Sequence, residues 1–305
     1  MELVFHPGEL GVQERAGVRD QARKIGTGIH ATISTAAAEF LLAQRFTVLA
    51  AVDSAGRMWA SPLTGPQGFL EPVDERRLRV YAHPIASDPL AEALGDGVAV
   101  GLLVIDLAHR KRLRLNGRVE ARDDGFDVVT REVFGNCPKY IQARVAESAG
   151  GGTEAPVVAS AAHLEEPQRR WIGEADTFFV ASRHAEAGAD ASHRGGNPGF
   201  VRVADGLRLS WPDYSGNRMF QTLGNLARDS RAGLLFVDFD GGRTLQLAGR
   251  ATIDWDPERA RRSEGAERIV DFTVERVLEI GGRADVRHRL LGRSPFNPPS
   301  SSKDR

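Results

Sequence analysis

Apolar and polar positions along this chain change over on a short period. Residues 46–52 (FTVLAAV) and 98–106 (VAVGLLVID) are almost continuously apolar, as strands buried on both faces are. Residues 111–121 (KRLRLNGRVEA) alternate, which predicts a half-exposed strand. Further strands are predicted at 57–62, 67–70 and 78–82, with a closing strand at 269–280. Residues 200–203 and 207–209 flank Asp205-Gly206 and predict strand, tight turn, strand. Helical spacing is confined to short stretches. These are 12–25, read as a charged surface segment, 34–44 with Ser34 or Thr35 as cap, 89–94, 163–173, and a charged helix starting at Asp256-Pro257-Glu258. Strand after strand between tight turns predicts a mainly β protein, a barrel or sandwich with flanking helices.

The same order then recurs. Phe69 returns as Phe200, and Gly101-Leu102-Leu103 returns as Gly233-Leu234-Leu235, at sequence offsets that agree to within one position. Leu115-Asn116-Gly117-Arg118-Val119 matches Leu247-Ala248-Gly249-Arg250-Ala251 at the same offset as the Gly-Leu-Leu pair, and 47–52 matches 177–182. A steady offset over several blocks predicts two tandem copies of one barrel unit. Residues 1–45 then form a helical extension, 46–147 the first copy with a following helix, 148–256 the second copy, and 257–305 a terminal helix, strand and flexible tail. The run 148–153 (SAGGGT) reads as a linker, and the end of the chain as extended and then disordered. The copies differ in chemistry. Leu63 stands where the second has Arg194, and Asp88-Pro89 stand near the place of Arg218. An apolar and an acidic group hold no phosphate, so a phosphate end belongs to the second copy, with the first as scaffold or half of a site wall.

Composition narrows the function classes. The 305 residues suffice for two domains, and 41% hydrophobic with 27% charged residues is the balance of a globular protein. A net charge of −1 argues against nucleic acid as partner, and the arginines at 110–112 and 259–262 read as solvated faces. With Cys137 alone there is no intrachain disulfide, which fits a reducing compartment. No run of about 18 apolar residues predicts a membrane span, and the N-terminus lacks a secretory pattern. The expectation is a cytoplasmic protein. The eight histidines show no metal-ligand spacing, and no metal is predicted.

Candidate chemistry concentrates in 192–225. Gly195-Gly196 and Gly199 permit tight turns, and Arg194 and Arg218 flank the hairpin where both can converge on one anion. Ser192, Ser215 and Asn217 are candidate donors to the same anion, though Ser and Asn also simply make turns. Trp211 is either a stacking platform or a packing plug. Residues 134–144 form a second notable segment, with Pro138 placed for the first turn of a helix and Lys139 and Gln142 sharing a face of it. It either completes a ligand site or merely caps one barrel. Cys137 is either a thiol activated at that helix start or a buried inert one.

The blocks Ser192-His193-Arg194-Gly195-Gly196, Pro198-Gly199-Phe200-Val201, Pro212-Asp213, Gly216-Asn217-Arg218, Gly233-Leu234-Leu235-Phe236 and Leu247-Ala248-Gly249-Arg250-Ala251 resemble the pyridoxamine 5'-phosphate oxidase superfamily of flavin-nucleotide-binding proteins. The resemblance is good over the stretch that holds these blocks and extends in weaker form over most of the chain. It implies two tandem FMN-binding split β-barrels, FMN held by Ser192, Arg194, Gly196, Ser215, Asn217 and Arg218, and a usually dimeric site. It also implies that Thr244 and Gln246, on one face of a strand, reach the flavin ring or its polyol. Trp211, Lys139 and Gln142 complete the candidate set. The implied activity is an oxidoreductase acting on a small-molecule substrate, with a separate flavin or ferredoxin-type reductase as electron donor and a homodimer as assembly. No catalytic residue is assigned, and the substrate-phosphate residues of vitamin B6 oxidation do not map onto this chain. The alternatives are a non-catalytic flavin-binding or sensing protein and a haem-binding one that uses His184 or His193.

Overall fold

The computed structural model describes residues 4–148, 158–281 and 286–299. The chain opens with helices α1 (Pro7–Arg15), α2 (Arg19–Gly26) and α3 (Thr35–Leu42). Strands β1 (Phe46–Val52), β2 (Met58–Thr64), β3 (Leu70–Asp74), β4 (Arg77–Val80), β5 (Ala99–Asp106), β6 (Lys111–Arg122) and β7 (Gly125–Gly135) follow. After β8 (Ala143–Ser148), β9 (Val158–Ala161) and α4 (Glu166–Glu174) come β10 (Thr177–His184), β11 (Gly188–Gly195), β12 (Arg202–Val203) and β13 (Arg208–Tyr214). The chain continues through α5 (Gln221–Leu226), β14 (Arg231–Val237), β15 (Thr244–Asp254), α6 (Pro257–Ala260), β16 (Ala266–Ile280) and β17 (Val286–Gly292).

The strands build two antiparallel sheets of one topology. The first runs β2-β1-β5-β6-β7-β4-β3 and the second β11-β10-β14-β15-β16-β13-β12, the same order strand for strand, with β9 added on β16. The end strands β2 and β3 do not pair with each other, nor do β11 and β12. Each sheet therefore wraps an apolar core as a split barrel. Even the irregularities repeat. The register of β6 slips between Asn116 and Gly117, and that of β15 slips at the equivalent place, between Ala248 and Gly249.

The continuous apolar runs have a common cause. Leu49 and Ala51 of β1 point into the first barrel, while Phe46, Val48 and Ala50 join Met58, Leu103, Phe179, Ala181 and Leu235 in a separate cluster between the barrels. A strand buried on both faces cannot alternate. The contact is reciprocal. A Cβ on Gly101 of β5 would stand 2.6 Å from Asp190 Cα on β11, and one on Gly233 of β14 would stand 2.7 Å from Trp59 Cα on β2. Register places Gly233 as the counterpart of Gly101 and Asp190 as that of Trp59. The two barrels meet as the halves of a two-fold dimer do, each offering the same face.

Some elements differ from the sequence reading. The segment 12–25 divides into α1 and α2 around Gly17, at φ 68°. Most of 12–25 is exposed, as a surface segment is, but Val12, Gln13, Val18 and Ala22 are buried, and Gln13 Nε2 donates to Met219 O at 2.9 Å. Residues 89–94 are turns, not a helix, and β7 had no counterpart among the predicted strands. Strand β6 is half-exposed as read, at Lys111, Arg118 and Glu120 to Arg122, but Arg114 and Asn116 in its middle are buried beneath the second barrel. The strand read at 269–280 is β16, central to the second sheet, so a boundary at 256 cuts through that barrel. Most of the linker read at 148–153, and the tail beyond 299, lie outside the described residues.

Candidate anion-binding site

Where β6 of the first barrel faces β11 of the second, the chain forms a narrow cleft of about 100 Å³ that opens to solvent. Its cations come from both barrels. Arg112 and Arg114 lie two apart on one face of β6, and His193 and Arg194 are adjacent on β11. The second barrel adds Asp213 and Tyr214 at the end of β13 and the loop Gly216–Phe220 before α5, with Thr222 on the helix itself. The crossing between barrels adds Asn136, Lys139 and Tyr140.

The charges in this cleft do not balance. Arg114 donates to both carboxylate oxygens of Asp190 at 3.1 Å. Among the described residues, neither Arg112 nor Arg194 has a carboxylate within 4.0 Å. Arg112 reaches Cys137 O at 2.7 Å and His193 Nδ1 at 3.1 Å, and Arg194 donates to Ser192 Oγ and His193 O at 3.1 and 3.0 Å. Burial, with Arg114 and Arg194 close by, pushes Arg112 down to about 9, and burial also lowers Arg194. Burial first, and then Arg112, hold His193 well below its ordinary value, so its imidazole is neutral at pH 7. His193 Nε2, Arg112 Nε and both amide atoms of Asn136 are buried without a hydrogen-bond partner. Each such group costs about 1–3 kcal/mol when left unpaired. An anion in the cleft would satisfy donors and charge together.

The backbone around the cleft is strained. Four non-glycine residues among those described have positive φ, and Tyr140 (67°), Arg218 (63°) and Phe220 (62°) line the cleft. The fourth, Arg110, donates to Ile141 O at 3.0 Å and so holds the crossing segment. Such conformations cost about 1–3 kcal/mol each and gather at ligand sites. Tyr140 requires glycine opposite it, because a Cβ on Gly195 would lie 2.0 Å from Tyr140 O.

The predicted site residues divide. Arg194, Asn217, Arg218 and Lys139 line the cleft. Arg218 is not free to share an anion equally with Arg194, because Glu267 holds it at 2.9 Å and it donates to Ser215 Oγ. Ser192 lies just behind the wall, bonded to Arg194 and to Thr222 Oγ1 at 2.9 Å, and Ser215 O accepts from Tyr140 Oη. Five residues stand apart from the lining. Trp211 is 2% exposed and fills the second core against Phe178 and Phe272. Thr244 begins β15 on the far side of the barrel pair, and Gln246 is buried against the first barrel, donating to Ala60 O, Ser61 Oγ and Asp88 Oδ2. Gly196 and Gln142 hold loops together, with Gln142 Nε2 donating to Gly196 O at 3.2 Å.

No helix forms at 138–142. Tyr140 at positive φ ends a turn there, so Lys139 and Gln142 do not share a face and Cys137 does not sit at a helix start. Gln142 instead anchors the last described residues. Gln142 Oε1 accepts from Ser294 N at 2.8 Å and from Asn297 Nδ2 at 3.1 Å, Tyr140 N donates to Ser294 Oγ, and Asn197 Nδ2 donates to Pro298 O at 2.8 Å. Residues 294–298 are thus a strap fastened beside the cleft. His184, considered as an iron ligand, stacks on His6 at 4.0 Å between ring centroids and lies outside the cleft lining.

Arg112, Arg114, Asn136 and Tyr140 are the residues that sequence reasoning missed, and His193 was read only as a candidate haem ligand. Their one signal was the equivalence of the copies, which sets Arg112 and Arg114 of β6 opposite Thr244 and Gln246 of β15.

Residues 164–281, just under two-fifths of the chain, match the family model described as pyridoxamine 5'-phosphate oxidase. Solved structures resemble parts of the chain weakly. A Group A Streptococcus HupZ structure shares 15% identity over 40% of this chain and 98% of its own, at a TM-score of 0.33. A Clostridium acetobutylicum protein of the pyridoxinephosphate oxidase family, related to general stress protein 26, shares 12% over 40% of this chain and 89% of its own, at 0.26. A FAD-binding protein of Mesorhizobium loti shares 9% over 42% of this chain and 100% of its own, at 0.30. These likenesses bear no weight on function, and comparison with curated proteins finds no match. Residues 164–281, which hold the second barrel, are thus similar to pyridoxamine 5'-phosphate oxidase, and the first barrel repeats the strand order of the second.

Proposed function

We propose that the cleft binds the phosphate of FMN and that the protein is a flavin-dependent oxidoreductase acting on a small molecule. The observation that carries this reading is the unbalanced cluster of Arg112, Arg194 and His193, with orphaned donors aimed into one cleft. A monophosphate needs one compact anion site, and this is what two guanidiniums and an imidazole supply. Tyr140 and Tyr214, with ring centroids 5.2 Å apart, give the rest of the cleft flat apolar surface. A bound flavin would supply the two-electron chemistry. The protein's part is to anchor the phosphate, orient the ring and exclude competing reactions. A separate reductase as electron donor is part of the proposal, as is a cytoplasmic location.

The test is the absorption spectrum of the purified protein after incubation with FMN and gel filtration. Flavin bands are expected in the wild type and absent from an Arg112→Ala/Arg194→Ala double variant. A reductant that bleaches the bands, with reoxidation by a small-molecule acceptor, marks an oxidoreductase, and binding without turnover marks a storage or sensing role. A second reading is haem held by the buried, neutral imidazole of His193, which would first have to give up its Arg112 contact and carry its proton on Nδ1. A Soret band after haem addition, lost in His193→Ala, would support haem instead.

A further inference from the structure

We infer that this chain is built as a two-fold pair with two equivalent interfacial sites, of which one is open and the other is permanently closed by its own side chains. The inference rests on the reading of the cleft as an anion site and adds where, and how many times, that site occurs.

The barrels meet reciprocally through Gly101 and Gly233, so every pairing of β6 with β11 has a counterpart of β15 with β2. Register identifies the counterparts. Leu103 pairs with Arg114 as Leu235 pairs with Gln246, and Ile105 pairs with Arg112 as Val237 pairs with Thr244. Likewise Thr47 pairs with Leu63 as Phe178 pairs with Arg194, and Val48 pairs with Pro62 as Phe179 pairs with His193. At the second location, therefore, the two arginines of β6 become Thr244 and Gln246, while His193 and Arg194 become Pro62 and Leu63. None of the four can bind an anion by charge.

The space is also filled. Gln246 Nε2 donates to Ala60 O, Ser61 Oγ and Asp88 Oδ2 at 3.1, 3.0 and 2.9 Å, and Ser61 Oγ donates to Asp88 Oδ1 at 2.7 Å. Ser61 is the counterpart of Ser192, whose hydroxyl in the open site is bonded by Thr222 rather than by a carboxyl. Asp88 is 5% exposed, and its oxygens, already taken by Ser61 and Gln246, offer a phosphate no cation to bind. Around this knot Trp59 and Leu63 of the first barrel pack in one apolar cluster with Ala248, Leu278 and Ile280 of the second. One side of the interface is thus polar and cleft-forming, and the other is sealed.

Calorimetric titration of the full chain with FMN tests this. One equivalent per chain is expected, abolished in Arg112→Ala/Arg194→Ala. Asp88→Asn and Gln246→Ala are expected to lower the melting temperature while leaving FMN affinity within twofold of wild type. Two equivalents per chain would overturn the closed second site, as would a tenfold loss of affinity in either knot variant or binding that survives the Arg112/Arg194 change. Zero equivalents in a folded wild type would sink the anion reading itself, and this inference with it.

Discussion

At the residue scale the protein hinges on cations that lack partners. Arg112 was hidden in the sequence because Arg110-Lys111-Arg112 has the look of a solvated run, and only tertiary structure turns its side chain into a buried cleft. Arg194 was legible from its glycine-rich surroundings. Arg218 was legible as a neighbour of the site but not as the partner of Glu267, which lies 49 residues on. His193 carries a prediction. Its folded value is depressed by burial and by Arg112, so its contribution to stability is full above the unfolded value near 6.5 and is lost as pH falls below that. There the unfolded chain takes up a proton that the folded one refuses, at ~1.4 kcal/mol per pH unit for one group. Glu9, pushed up to about 9 by burial, acts in the opposite sense, so the informative quantity is a difference between variants. In urea unfolding of the ligand-free protein from pH 7 to 5.5, His193→Asn is expected to lose about 1 kcal/mol less stability than wild type. Identical pH slopes would show that His193 protonates freely when folded.

At the element scale, strands were read better than the segments joining them. β1 and β6 stand within a residue of their predicted bounds, because apolar runs and alternation report burial directly. The crossing at 136–142 was misread as a helix. Pro138 suits a first helical turn, but Tyr140, whose carbonyl packs against Gly195, stands at φ 67°, a left-handed conformation that no local signal announces. The strap was read only as an extended tail, and its anchorage was hidden for a similar reason, since its partners Gln142 and Asn197 lie 155 and 100 residues away. Because the strap fixes the Tyr140 wall, Asn297→Ala is expected to weaken FMN binding by about three- to tenfold and to destabilise the protein by about 1–3 kcal/mol. Binding curves that superimpose on wild type would show that the strap and cleft are uncoupled.

At the scale of the whole molecule, the repeat was the most legible feature of the sequence. Its steady offset survives as identical strand orders and matching bulges. What the sequence concealed was the way the copies face each other. Only the reciprocal glycine contacts show that a site must draw on both barrels, which is why the second copy's sequence held only half of it. The same geometry lets one chain complete the site without a second copy.

The central claim is that this composite cleft recognises a phosphate. FMN and riboflavin differ only in that group, so the most direct measurement is the ratio of their affinities by fluorescence titration at fixed ionic strength. The account predicts FMN bound at least 100-fold more tightly by the wild type, a ratio of about 2.7 kcal/mol, collapsing to within a few-fold in Arg112→Ala/Arg194→Ala. Riboflavin bound by the wild type as tightly as FMN would contradict it.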